Sequence, residues 1–231
     1  MNLSFGAFGI FFLVVLGIIV LSAVASAAGR RRRAQGMAAY AAKREWRWSP
    51  DGTGLEHRLS GEPFGRGSRR IASNVVEGRY EGWAFVAFDY RYTTRSGDDS
   101  TVHRNSVVSM HLGSLAQSVP MLQVEPHGAV GRFFSELFGR GQPVGDPAFD
   151  KAFSVRTTSP ELAHDVLHPD MRLMLASYQD RAWRFEGDSL LMFRRGEHSP
   201  AEIDQVLASM KAILDRVPPG VWDRLRGERP R

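Results

Sequence analysis

The chain has 231 residues, 30 Lys and Arg, 25 Asp and Glu, and no cysteine. That length allows one ordinary domain plus an appendage, and the missing cysteine excludes disulfides, thiolate metal sites, a cysteine nucleophile and thiol-borne lipid anchors. The net charge of +5 points to an acidic partner, nucleic acid or anionic lipid, and its distribution along the chain chooses between them.

From Phe5 to Ala28 there are 24 residues without a charge, and the first charged side chain is Arg30. As a helix this run covers about 36 Å, enough to cross a hydrocarbon core of about 30 Å. The rival reading is a cleaved signal peptide, for which Ala25-Ser26-Ala27 offers a cleavage-like site. Against it, Met1 to Ser4 carry no basic residue, and Arg30-Arg31-Arg32-Arg33 after the run resist translocation. The expectation is an uncleaved single-pass anchor in the inner (plasma) membrane. Basic residues beside a membrane helix stay in the cytoplasm, so the N-terminus is expected outside and the rest of the chain inside.

Residues 30–47 hold seven basic side chains against Glu45, a local charge of +6, while residues 48–231 hold 23 basic and 24 acidic ones. A nucleic-acid-binding domain carries a basic face on its folded body, and this body gives no compositional support for one. The four arginines Arg30, Arg31, Arg32 and Arg33 are therefore assigned to anionic lipid headgroups, at about 1 kcal/mol per basic residue. The plainer alternative is that they only set topology. Arg outnumbers Lys 27 to 3 throughout, which reflects genome composition rather than bidentate recognition.

Ala34 to Glu45 is alanine-rich and predicts a helical stalk continuing from the span. Trp46 and Trp48 stand two apart, as on one face of a strand, and are expected to pack in the domain rather than anchor at the membrane interface. Pro63 to Arg70 reads as a loop. Ile71–Arg79, Trp83–Thr93 and Val102–Leu112 are rich in β-branched and aromatic residues, with short connections at Glu81-Gly82 and Arg95–Ser100, and predict an antiparallel meander. Val108, Met110 and Leu112 face one way, Val107, Ser109 and His111 the other. Met121–Val124 is a fourth strand. Val130–Phe138 predicts a short helix, packed on the sheet or dipping into the bilayer.

Phe153–Thr157 is a strand and Arg184–Arg194 a hairpin turning at Gly187-Asp188. Each is followed by a helix that opens with Ser and then Pro, at Ser159 and Ser199; Glu202 completes a capping box in the second. SPELAHDVL and SPAEIDQVL lie 40 residues apart, and shared helix-start chemistry accounts for their likeness. The second helix has an apolar stripe of Ile203, Val206, Leu207, Met210, Ile213 and Leu214 and ends at Pro218-Pro219-Gly220. The fold class is α+β: one transmembrane helix, then a two-layer domain with a mainly antiparallel sheet and two or three helices packed on it. The division is an anchor over 1–29, a basic juxtamembrane stalk over 30–45 and a cytoplasmic domain over 46–231.

Two constellations could carry chemistry. His164 and His168 are four apart on a helical pattern, a spacing that suits a metal pair, but Pro169 disfavours helical geometry at His168. His103 and His111 flank the third strand and Asp89 sits inside the second, where acid–base work is conceivable. The simpler reading pairs Asp89 with Arg91 or Arg104 across the sheet. No nucleophile elbow, P-loop or dinucleotide fingerprint is present. No catalytic, cofactor-binding or metal-ligating residue is assigned, and no cofactor is expected.

EWRWSP, PFGRG, FVAFDYRYTT, HRNSVVSMHL and FDKAFSVRTTSPELAHDVLHPDM, behind one N-terminal span with an Arg-rich exit, resemble a family of uncharacterised actinobacterial membrane-anchored proteins. Phe149–Leu175 also resembles a wider bacterial domain of unknown function, through Phe153, Val155, Thr157, Ala163, Leu167, Pro169 and Met171. The resemblance implies a membrane location and a shared α+β fold, and no activity. The leading expectation is a non-enzymatic, cytoplasm-facing interaction module with an unknown protein partner and no nucleic acid. The alternatives are a hydrolase-type or metal-dependent enzyme using the histidines above, and an anionic-lipid sensor.

Overall fold

The structure, a computed structural model, describes residues 3–116, 118–127 and 141–227. One unbroken helix, α1 (Leu3–Lys43), holds both the apolar run and the stalk. Its described apolar side chains over the first half are open to the surroundings: Phe12 is 67% exposed and Leu21 71%. Large apolar side chains left open over several turns suit a hydrocarbon surrounding. The helix is long and apolar enough to cross a membrane.

The rest is built on an eight-stranded antiparallel sheet. Its strands are β1 (Arg47–Asp51), β2 (Ser68–Tyr80), β3 (Trp83–Ser96), β4 (Asp99–His111), β5 (Val119–Pro126), β6 (Phe153–Thr157), β7 (Ala182–Gly187) and β8 (Ser189–Arg195), in the order β1-β2-β3-β4-β8-β7-β5-β6. The meander β2–β3–β4 is present as its composition predicts. Its first turn, Glu81-Gly82, has positive φ at both residues (47° and 87°), the geometry that matches strand twist in a two-residue hairpin. The second turn is tighter than expected. Ser96 pairs with Asp99, so RSGDDS contributes two strand ends and leaves only Gly97-Asp98 as the loop. The Met121–Val124 strand is β5, which sits between β6 and β7 and does not extend the meander.

Alternation along the strands sends Val76, Phe85, Ala87, Val108, Met110, Leu190 and Met192 to one face. There they meet α5 (Pro200–Arg216), whose stripe Ile203, Val206, Leu207, Met210, Ile213 and Leu214 is buried. Each such side chain contributes roughly 1.5–3 kcal/mol. Three short helices, α2 (Pro147–Ala152), α3 (Pro160–Val166) and α4 (Pro169–Leu175), and a further one, α6 (Pro219–Leu225), complete this layer. The capping box Ser199/Glu202 is formed as its sequence requires. Pro218-Pro219-Gly220 ends α5 but then opens α6, because Pro fits the first helical position. α2 was not foreseen; its signal is Asp146 before Pro147, whose carboxylate accepts hydrogen bonds from Ala148 N (3.1 Å) and Phe149 N (3.2 Å). The expected helix over 130–138 lies outside the described residues.

The opposite sheet face carries a smaller core of Phe88, Tyr90, Tyr92, Val107, Leu191 and Phe193, covered by Leu55 and Phe64 from the segment between β1 and β2. Arg184 holds that segment down. Its side chain is 2% exposed and donates to Glu62 O (3.0 Å), Gln123 Oε1 (3.2 Å) and Ser60 O.

Candidate functional site

The second half of α1 is part of the domain. Met37 and Ala41 are fully buried in the main core. Tyr40 donates to Asp204 Oδ1 at 2.9 Å, and burial together with that carboxylate pushes its phenol pKa up. Arg44 pairs with the same Asp204 at 2.5 Å. Trp46, half-buried as its position suggested, donates to Arg79 O (3.1 Å) and sets its ring edge against Phe85 at 4.7 Å. A cation beneath a helix end and a carboxylate on α5 thus fasten the lower stalk.

The upper stalk is fastened at Asp89. On β3 the row Phe85, Ala87, Asp89, Arg91 faces α1, so an acid follows two core residues and sits 7% exposed. Burial of a carboxylate demands partners, and it has three. Arg33 Nη2 donates to Oδ2 at 2.6 Å, Asn74 Nδ2 to Oδ2 at 3.0 Å, and the His198 backbone N–H to Oδ1 at 2.9 Å. The Arg33 guanidinium also donates to His198 O, from Nε at 3.0 Å and Nη2 at 2.7 Å. Asp89 is thus paired, as expected of an acid in an apolar strand, but with Arg33 and not with Arg91 or Arg104. α1 brings Arg33 over β3 to Asp89, while Arg104 lies against Glu197 instead.

His198 is held between β8 and α5. Its Nε2–H donates to Val107 O at 2.9 Å, and Nδ1 has no hydrogen-bond partner among the described residues. Burial drives its pKa down to about 3, with Arg181, Arg33 and Arg194 adding to the effect against the Val107 hydrogen bond, so the ring is neutral. It is a structural wedge.

Above the Arg33–Asp89 pair lies a cleft of about 840 Å³ between α1 and one face of β2, β3 and β4. Arg30, Arg31 and Arg33 line one wall, Arg91 and Arg104 the other, with Ile71 on the β2 side. Asp89 and Glu197 are its two acids. Glu197 lies 3.3 Å from Arg33 and 3.4 Å from Arg104. Arg32 is exposed on the helix surface. Of the four arginines taken together from sequence, Arg33 is thus turned into the protein, and Arg30 and Arg31 face a sheet wall that sequence reasoning did not attach to them.

The histidine constellations do not assemble. Asp89 faces α1, whereas His103 and His111 are on the other face of the sheet, since Asp89 pairs with Ser106 and the odd-numbered β4 residues point away. His103 stacks on Tyr92 (4.7 Å) and shares a hydrogen bond with Thr94 Oγ1 at 2.8 Å; burial and then Arg195 and Arg66 lower its pKa. His111 lies 3.3 Å from Asp188, at the rim of a cavity of about 640 Å³ lined by Leu59, Val86, Phe88 and Leu191. His164 is exposed on α3, but the helix stops at Val166 and His168 is extended (φ −64°, ψ 166°), with Nε2 at 2.9 Å from Arg216 O. The break before Pro169 takes the pair off a common helical face. Among the described residues no group of three or more His, Asp or Glu could hold a metal ion.

No family model matches the chain, and no curated protein matches its sequence. In fold it is similar to the crystal structure of the mycobacterial trehalose monomycolate transport factor A, TtfA, with a TM-score of 0.59 at 14% identity, covering 82% of this chain and 98% of that one. At that identity the likeness is one of fold.

Proposed function

We propose that the protein is a non-catalytic, membrane-anchored accessory module that works beside a membrane transport system through a protein partner. The observation that carries this reading is the docking of α1 on the sheet at Arg33, Met37 and Ala41, which holds the domain against the membrane instead of on a free tether. The likeness to a factor named for trehalose monomycolate transport supports the choice of transport over other membrane roles. The separation of Asp89 from His103 and His111 removes the best enzymatic constellation in the chain. The reading keeps the division into anchor (1–29), stalk (30–45) and domain (46–231), the single-pass topology with the N-terminus outside and the domain in the cytoplasm, and membership in the actinobacterial family of membrane-anchored proteins with a domain of unknown function. Arg30, Arg31 and Arg32 contact anionic headgroups, and Arg33, the fourth arginine assigned to them from sequence, instead fastens the helix to Asp89.

The test is co-purification from detergent-solubilised membranes of the full chain against a control carrying residues 1–45 alone. The expected result is a membrane transport protein enriched with the full chain only. Equal recovery of every protein in both samples would sink the interaction reading. A reporter active only outside the cytoplasm, fused after Arg231, is expected to stay silent; a strong signal would reverse the orientation.

A further inference from the structure

We propose that the cleft between α1 and the face of β2, β3 and β4 that carries Asp89 is a binding site for the phosphate of an anionic phospholipid headgroup. It rests on the membrane reading of α1 and goes beyond it, because it places half of the site on the folded body, where the net charge of the sequence hides it.

Charge carries the first part of the argument. Five guanidinium groups and two carboxylates line the cleft, a local excess of three positive charges. Both carboxylates are already engaged, Asp89 by Arg33 and Glu197 by Arg33 and Arg104. Arg30, Arg31 and Arg91 have no ion-pair partner among the described residues. Guanidinium groups held together repel unless an anion sits between them, and a phosphate accepts hydrogen bonds from two planar forks at once.

Position carries the second part. Arg33 of α1 meets Asp89 of β3, and Trp46, just beyond the end of α1, meets Phe85. Ala27, Arg30 and Arg31 of α1 line the cleft opposite Arg91. Ala27 belongs to the last apolar turn of the span. The cleft therefore opens at the depth where hydrocarbon gives way to headgroups, and Ile71, 41% exposed, gives the glycerol end of a lipid an apolar contact.

The experiment titrates a short-chain phosphatidylglycerol into the full chain in a neutral detergent, by calorimetry. Saturable binding is expected, with no saturable binding of phosphatidylcholine of the same chain length. Neutralising two arginines at about 1 kcal/mol each corresponds to about 30-fold weaker binding, so R91Q/R104Q and, separately, R30Q/R31Q should each lose about that factor. R91K/R104K, which keeps the charge but loses the planar forks, should bind more weakly than the wild type and more tightly than R91Q/R104Q. Arg30 and Arg31 are exposed on the helix, so R30Q/R31Q tests the site even where the strand variant fails to fold. Equal affinity for both lipids, or unchanged affinity in R30Q/R31Q, would overturn the proposal. Inorganic phosphate binding as tightly as the lipid would overturn the lipid assignment in favour of a soluble anion. Alkaline extraction of membranes reads the anchor separately: retention of the full chain supports it, whereas release would remove the cleft from headgroup depth and overturn both readings.

Discussion

Replacing Asp89 should undock the membrane helix, and the structure sets the size of the effect. The Asp89 carboxylate accepts from Arg33, Asn74 and the His198 N–H, and its side chain is 9% exposed. In Asp89→Ala the His198 N–H and the Asn74 amide lose a buried acceptor, at about 1–3 kcal/mol each. Arg33 is 25% exposed and so keeps some access to water, which holds its share below the 3–5 kcal/mol of a fully buried broken pair. The total is about 4 kcal/mol, a large part of a domain stability of about 5–15 kcal/mol. Arg33→Ala should cost about 2 kcal/mol. Because the two side chains touch, the double variant should fall short of the sum of the singles by about 1.5 kcal/mol. Urea unfolding of the full chain in detergent, followed by tryptophan fluorescence, measures all three. Single effects that add within about 0.3 kcal/mol would refute the tether, because residues that do not interact behave that way.

Stability should also fall on mild acidification. His198 has a pKa of about 3 in the folded protein against about 6.5 when unfolded. Below pH 6.5 the unfolded chain binds the proton and the folded one does not, so stability is full above that pH and declines by up to about 1.4 kcal/mol per unit toward pH 3. His198→Gln, which can still donate to Val107 O, should flatten the decline between pH 6.5 and 5; an unchanged slope would assign it to other groups. Arg184→Ala leaves the carbonyls of Ser60 and Glu62 without their donor and should cost about 3 kcal/mol. Limited proteolysis should then cut within residues 52–67, and a wild-type digestion rate would contradict the role given to Arg184. A Cβ on Gly78 would run into the Trp46 indole, so Gly78→Ala should cost about 1–3 kcal/mol. The same change in a Trp46→Ala background should be close to neutral, and an equal cost in both would exclude the clash as its cause.

Local rules made much of the fold legible. The uncharged run, the meander, the Ser-Pro helix starts and the apolar stripe of α5 are each written in residues close along the chain, and each formed. What depends on distant residues was not legible in the same way. The partner of Asp89 comes from 56 positions earlier, on α1, and nothing in FVAFDYRY distinguishes Arg33 from Arg91 as that partner. The sign that something must cover the acid was present, because Asp89 shares a face with Phe85 and Ala87. The second cationic wall was hidden by averaging: residues 48–231 are near neutral as a sum, while strand pairing sets Arg91 beside Arg104 on one face of the sheet. The insertion of β5 between β6 and β7 is likewise a pairing choice that turn chemistry does not encode.

The unbroken α1 has a consequence for orientation about the membrane normal. A helix advances about 100° per residue, so faces separated by whole turns keep their alignment along its length. Ser22 and Ser26, bonded Ser26 Oγ to Ser22 O at 2.7 Å, fall on the stripe that continues through Arg33 and Met37 into the sheet. With no hinge between the span and the Arg33–Asp89 joint, spinning the helix in the bilayer spins the whole domain with it. A neighbouring membrane helix seated on the Ser22 and Ser26 face would therefore stand directly beneath the cleft, and a helix on the opposite face would leave it turned away.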